Sequence, residues 1–454
     1  MSKHPGSRKL SSIKSGAFSR GVALARMSFS VGGKAASYAI GNVFSAEEGR
    51  AERLKELLTA QMGTLARELG QLKGSLMKVG QMLSMVGEHV LPPEANELLK
   101  TLQSQSPPLE WKAIEKVLKR QLGAETLARL EIDPEPAASA SLGQVHRARV
   151  LAGADAGRLL ALKIQYPGVD AAIDSDLKAL RGILSMSRIL PGRSKGYDAL
   201  FAEVRQMLRQ EVDYRQELDA TEWFRERLAG DSRYVVPRTY AEFSGPRVLA
   251  TSFEEGLTVD DPCISALPQE RRNALGSAVL ELYLKELFEL GRMQTDPHFG
   301  NYRIRLGGAG EPDRLILLDF GAVREFQPRF LESYFEMVRG SYRGDAAQVA
   351  RGAERLGFML PGDSDALRRS FAELCFLLME PFGGEYDWGG SDLPKRAARA
   401  GAELAFQFRL RPPPREVVFL DRKMGGVFIF LSALGARLDA RPLLDRHLAR
   451  LAAR

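Results

Sequence analysis

Cysteine is scarce in this chain: Cys263 and Cys375 are the two in 454 residues. That excludes a disulfide framework, and five dispersed histidines leave no zinc-type ligand cluster. The chain therefore suits a reducing compartment, or is indifferent to redox. Long apolar runs are also missing. The N-terminal apolar residues are too interrupted for a transmembrane span or a secretory core, and Met424 to Ala436 offers 13 residues between Lys423 and Arg437, short of the roughly 20 a spanning helix needs. Acidic residues are absent before Glu47, whereas Lys3, Arg8, Lys9, Lys14, Arg20, Arg26 and Lys34 are basic. Such a segment fits a solvated basic tail, an arm drawn to anionic lipid, or a transit-peptide-like leader. The net charge of +7 and isoelectric point near 9.3 are compatible with nucleic acid, anionic lipid or nucleotide, and charge alone does not choose. At about 150 residues per domain, the length allows two or three domains.

What is present is a set of groups suited to phosphoryl transfer. Asp296-Pro-His-Phe-Gly-Asn301 is followed by Leu317-Leu-Asp319-Phe-Gly321, the spacing of a kinase-type catalytic loop and its metal-binding Asp-Phe-Gly. That chemistry needs positioning, divalent cations on the phosphate oxygens and a carboxylate facing the acceptor. Asp319 and Asn301 carry hard oxygen donors suited to Mg²⁺, and Asp296 is the candidate facing the acceptor. Asp-Phe-Gly alone is a weak signal, since any strand ending in a glycine turn can produce it. Here Leu315 to Asp319 reads as a buried strand delivering the carboxylate at its end. The constellation calls for an upstream lysine, and Ala161-Leu-Lys163-Ile-Gln165 supplies one within an apolar run. An edge-strand lysine facing water would look the same. Two usual kinase parts are missing. Before Lys163, Pro136 to Val145 holds alanines and one glycine, Gly143, where a glycine-rich phosphate loop belongs; alanine is penalised at positive φ, so nucleotide is expected to be held differently. After Gly321 there is no Ala-Pro-Glu and no obvious activation segment, so a protein substrate lacks its usual docking platform.

Residues 47–125 read as helical. Leu65, Leu69, Leu72, Leu76, Val79, Leu83 and Val86 alternate spacings of four and three, a seam that packs against a partner surface. Lys78 and Gln81 share a face beside it. A small sheet is expected from about Glu131 to Pro167, with a turn at Leu151 to Gly157. Two helical runs separated by Pro191-Gly192 follow. The second, from about Tyr197 to Leu228, carries Glu203, Glu211, Asp213, Glu217 and Glu222. Kinase-type chemistry asks for a carboxylate to hold the strand lysine, and spacing alone does not single one out. Arg247 to Phe253 reads as a strand and Gln269 to Leu290 as a helix. Helical patterns run from Arg329 onward.

Lys78-Val-Gly80-Gln81, the alanine-rich segment, Lys163-Ile-Gln-Tyr-Pro-Gly168, Glu211-Val-Asp213-Tyr214, Asp296 to Asn301, Asp319 to Gly321 and Arg422-Lys-Met-Gly-Gly426 together resemble the AarF/UbiB family of atypical kinase-like proteins. The likeness runs in the same order from about residue 60 to 440. The departures are Gln294-Thr295 in place of His-Ala before Asp296, and Ser139 within the alanine run. The resemblance implies an α+β, bilobal protein-kinase-like fold with a helical N-terminal extension carrying the KxGQ signature. Its domains would be a basic arm (1–46), the extension (47–125), an N-lobe with inserted helices (126–255) and a helical C-lobe (256–454). It implies Glu217 as the partner of Lys163, with Glu203 and Glu222 as rivals. Lys78 and Gln81 would cap the cleft, with Glu211 and Asp213 nearby. Ala138, Ser139, Ala140, Ser141, Gly143 and Lys163 would meet the phosphates of ATP or ADP, and Glu254-Glu255 would form the hinge beside the adenine.

The expected function is an unorthodox ATPase, or a transferase acting as a small-molecule or lipid-directed kinase. It would use Mg²⁺ and support ubiquinone-type biosynthesis at an anionic membrane surface. Expected partners are quinone-precursor lipids and quinone-biosynthesis proteins, with no nucleic acid. The location would be peripheral to the membrane on the cytoplasmic side in a bacterium, or on the mitochondrial matrix side in a eukaryote. The alternative is a nucleotide-gated lipid-binding scaffold without productive transfer, which would have no need of Asp296. A protein kinase is disfavoured by the capped cleft and the missing peptide platform.

Overall fold

The computed structural model describes residues 75–86, 99, 108–140, 142–186, 195–308, 310–407 and 414–452. The basic arm, Leu65 to Leu72 of the seam, and Ser141 lie outside these residues. Two units emerge. The first takes in the described residues up to Leu218 together with Thr239–Phe253, and the second comprises Asp219–Arg238 and everything from Glu254 onward. Asp219–Arg238 thus groups with the second unit rather than with the 126–255 segment.

The first unit is built on a four-stranded antiparallel sheet in the order Leu130–Ser139, Gly143–Val150, Leu159–Gln165, Val248–Ser252. Period-two alternation in the third strand turns Leu160, Leu162 and Ile164 into the core and leaves Lys163 on the other face. Helix Trp111–Ala128 packs on this sheet through Ile114, Val117 and Leu118. It is broken at Gly123, whose φ is 76°, and it passes the expected end of the extension at 125. The KxGQ-type helix, Ser75–Val86, packs on helices Val169–Met186 and Lys195–Glu211, burying Val79 and Leu83 as the seam requires.

Two local expectations need correction. The run from Tyr197 to Leu228 is not one helix but two, Lys195–Glu211 and Tyr214–Leu228. The chain breaks because neighbouring groups take over its backbone: Gln165 Nε2 donates to Val212 O at 2.9 Å, and Tyr214 N donates to Pro246 O at 3.1 Å. Asp213 Oδ1 accepts from Arg215 N at 3.2 Å, which starts the next helix. Nor are Ala138 and Ser139 loop residues. Beyond two register shifts they pair with Val145 and Gln144, so the strand runs up to Ser139.

The second unit is mostly helical around one large apolar cluster. Helix Gln269–Lys285 is buried almost all round, as a central helix should be. It ends in a π-helical turn, Glu286–Leu290, closed by Gly291 at φ 63°. Strands are present here as well: Tyr234–Val235, Arg314–Leu317 and Tyr302–Arg305 form one sheet, and Arg292–Gln294 pairs with Val323–Glu325. Helix Arg415–Leu434 buries Val417, Leu420, Val427, Leu431 and Leu434, a three-and-four spacing worth about 1.5–3 kcal/mol per buried side chain.

Candidate active site

In the first unit the candidate residues centre on Lys163. Its Nζ donates to Glu217 Oε1 at 2.6 Å and Oε2 at 2.9 Å, and it lies 5.3 Å from the centre of the Tyr214 ring. Glu217 is buried, with 4% exposure, so its charge is stabilised by the ammonium it meets. The rival Glu222 is instead engaged by Arg225 on its own helix. The helix break described above matters here: it starts a new helix at Tyr214, which sets Glu217 one turn in and facing the strand.

Beside Lys163, the phosphate-loop region is a tight turn. Ala140 N donates to Gly143 O at 2.9 Å, and the reverse bond measures 3.5 Å. A Cβ at Gly143 would lie 2.3 Å from Ile164 O, so only glycine lets this turn close on the Lys163 strand. Gln144 anchors the turn from beneath, accepting from Leu109 N at 2.9 Å. In the same unit Lys78 forms an ion pair with Glu211, both largely buried. The two signature motifs of the extension and the inserted helices therefore meet through their charged residues, with Asp213 capping the following helix and Gln81 half-buried.

In the second unit the candidate residues are brought together by strand register. Tyr302 pairs with Leu317, and Leu318 N donates to Asn301 O at 2.9 Å, which puts Asn301 and Asp319 at the same end of neighbouring strands. Gln294 pairs with Val323, and Thr295 N and Oγ1 both donate to Ala322 O, at 2.9 and 2.7 Å. This second pairing ties the start of the Asp296 loop to the segment just after Gly321. Asp319 Oδ1 accepts from Gly321 N at 2.9 Å, and Phe320 is buried on Phe224 with ring centres 4.7 Å apart, so the carboxylate sits on a fixed backbone. Asn301 Nδ2 donates to Asp296 Oδ2 and to Asp296 O, both at 3.1 Å. With its nitrogen committed, the amide oxygen is the atom left to face a cation.

The donor set fits Mg²⁺. No group of three or more His, Cys, Asp or Glu able to hold a metal occurs among the described residues, but Mg²⁺ commonly takes one or two protein oxygens and completes its shell with phosphate and water. Glu254, at the expected hinge, is paired instead with Arg305 at 2.5 Å, and Arg305 Nε reaches Glu255 O at 3.4 Å. The Glu254 side chain is thus engaged within its own unit, while Glu255 is exposed.

Four residues of helix Arg415–Leu434 also belong to this loop. Arg422 Nη2 donates to Asp296 Oδ1 at 2.8 Å. Lys423, 1% exposed, meets Tyr302 Oη at 2.9 Å, Glu286 Oε2 at 3.2 Å and Gln294 Oε1 at 3.5 Å. A Cβ at Gly426 would fall 1.9 Å from Pro297 Cβ, and Phe430 makes edge contacts with Phe299 and Tyr302. Burial opposes charge on Lys423, yet Glu286 and Tyr302 outweigh it and hold the ammonium above the ordinary lysine range. Burial raises the Glu286 carboxyl, with Lys423 partly offsetting it. The string Arg-Lys-Met-Gly-Gly stands out in the sequence, but no local rule connects it to a loop more than a hundred residues earlier.

The chain has a bilobal α+β kinase-like fold. The ABC1 atypical kinase-like domain matches residues 101–353, more than half of the chain, and the chain belongs to that family. It is 34% identical over 393 residues to "Atypical kinase COQ8B, mitochondrial" of Danio rerio, covering 85% of this chain and 60% of that protein. It is 32% identical to the Rattus norvegicus protein of the same name, covering 86% and 72%. With "Atypical kinase COQ8, mitochondrial" of Saccharomyces cerevisiae it shares 29% identity over 97% of this chain and 86% of that one. Among solved structures, the complex of Rv3197 with erythromycin from Mycobacterium tuberculosis is similar at a TM-score of 0.58 and 27% identity, covering 88% of this chain and 98% of that one. The chain spans about 60% of the length of the zebrafish relative.

Proposed function

We propose that this chain is a Mg²⁺-dependent ATPase, or a kinase for a small-molecule or lipid acceptor, that supports ubiquinone-type quinone biosynthesis at a membrane surface. The observation that carries the phosphoryl-transfer part is the strand register that brings Asp296, Asn301 and Asp319 to one end of the second unit's sheets. In this reading Asp319 and the Asn301 amide oxygen hold the cation, which when bound offsets charge on the phosphate oxygens. Lys163, oriented by Glu217, steadies the phosphates, and Asp296 orients the attacking hydroxyl or water. Ala140 N and Gly143 N are spent on each other's carbonyl oxygens across the tight turn, so neither is offered to the phosphates.

The quinone link rests on the names of the mitochondrial relatives. No helix among the described residues is long and apolar enough to cross a membrane, so membrane contact in this reading is peripheral. It would be on the cytoplasmic face in a bacterium or the matrix face in a eukaryote. The deciding measurement is phosphate release from Mg²⁺-ATP, with and without anionic liposomes and phenolic quinone-precursor analogues. Asp319→Asn should lower turnover by about 100-fold or more while keeping the wild-type circular dichroism. A folded Asp319→Asn protein with wild-type turnover would sink the reading.

A further inference from the structure

Helix Arg415–Leu434 lays one face along the whole catalytic loop. Arg422, Gly426 and Phe430 recur every four residues, hence on one face, and they meet Asp296, Pro297 and Phe299 in turn. The neighbouring Lys423 closes the same contact from inside through Gln294 and Tyr302, the residues that bracket the loop. The contact is rigid by construction. A fully buried ammonium cannot leave Glu286 without stranding a charge, and the approach of Gly426 to Pro297 leaves no room for a methyl group.

We propose that Arg422 is the positioning residue for Asp296, aimed by the Lys423 anchor. Asp296 has both carboxylate oxygens engaged, Oδ1 by Arg422 and Oδ2 by Asn301. Two donors from two different elements fix the plane of the carboxylate, whereas Asn301 alone would leave it free to turn about that single bond. A carboxylate offers about four lone-pair sites, so both donors can stay in place while an acceptor hydroxyl or water binds a remaining one. Because Arg422 presents a planar fork and touches neither nucleotide nor acceptor in this account, its loss should misplace Asp296 without weakening nucleotide binding.

The inference rests on the phosphoryl-transfer reading above, and the experiment separates the two. Phosphate release from Mg²⁺-ATP is measured for the full chain and for Asp296→Asn, Arg422→Ala and Arg422→Lys, each checked by thermal melting. Arg422→Ala should lower kcat about 10- to 100-fold with the KM for ATP unchanged within about twofold. Arg422→Lys should recover part of the loss, since it keeps the charge but not the fork. Added guanidinium or methylguanidinium at millimolar concentration should restore part of the Arg422→Ala turnover and do nothing for Asp296→Asn. Wild-type or faster turnover in Arg422→Ala overturns the proposal, as does a rise in KM at constant kcat. Equal loss in both Arg422 variants with no response to guanidinium, or a coincident loss of folding, shows a merely structural arginine and also overturns it. If Asp296→Asn itself turns over normally, the phosphoryl-transfer reading falls first.

Discussion

Two lysine–glutamate pairs in this chain look alike on paper and are built for opposite ends. Lys163–Glu217 is close and bidentate, but its lysine side chain keeps 18% of its exposure. Lys423–Glu286 is longer, at 3.2 Å, and both side chains are sealed at 2% and 1%. An ammonium that solvent can reach can also exchange its partner for a phosphate at modest cost. One with no access to water is locked, because leaving its carboxylate would expose a bare charge to the interior. The first pair is suited to chemistry and the second to holding a helix on a loop.

The largest effect expected from breaking this contrast is on the sealed pair. Lys423→Met should cost about 3–5 kcal/mol, since it strands Glu286 in the core, and urea unfolding followed by a probe of the second unit would read it. Lys423→Met combined with Glu286→Leu should regain most of that loss, and a double variant no more stable than the single one would mean that the charges were not the issue. The open pair should behave in the reverse way. Lys163→Met should reduce phosphate release about 100-fold or more yet cost only about 1–2 kcal/mol, because the 18% exposure of Lys163 leaves a path by which water can hydrate the otherwise buried Glu217. A Lys163→Met protein as unstable as Lys423→Met would erase the distinction. The smallest effect concerns burial alone. Burial pushes the Cys375 thiol up to about 12, whereas Cys263 is exposed. A thiol reagent at pH 8 should therefore label one cysteine in the native protein and two after denaturation.

Much of the second unit's site is legible because its residues are close in sequence. Asp296 and Asn301 share a loop, Asp319 follows a short, continuously buried apolar strand, and turn chemistry does the rest. The first unit is less so. Spacing alone does not rank Glu203, Glu217 and Glu222; a helix break made by Gln165 and Pro246, both outside that segment, puts Glu203 on a different helix, and Arg225 engages Glu222. The same holds for Ala138 and Ser139, which read as loop by composition but are drawn into the sheet by pairing with Val145 and Gln144. Helix Arg415–Leu434 is the extreme case: its apolar spacing announces a buried helix, while the reach of Arg422 to Asp296 cannot be read from either segment.

The amino-acid sequence by itself determined the chemistry available here: which carboxylates, which amide and which lysine, on strands and helices set by apolar periodicity, with glycine where only glycine fits. Tertiary structure alone decided the pairings, joining Lys163 to Glu217, Lys78 to Glu211, Arg422 to Asp296 and Lys423 to Glu286. The reason is that local preference falls off within a turn or two of backbone, whereas a charge is neutralised by whatever the packed core brings within about 3–4 Å, however distant in the chain.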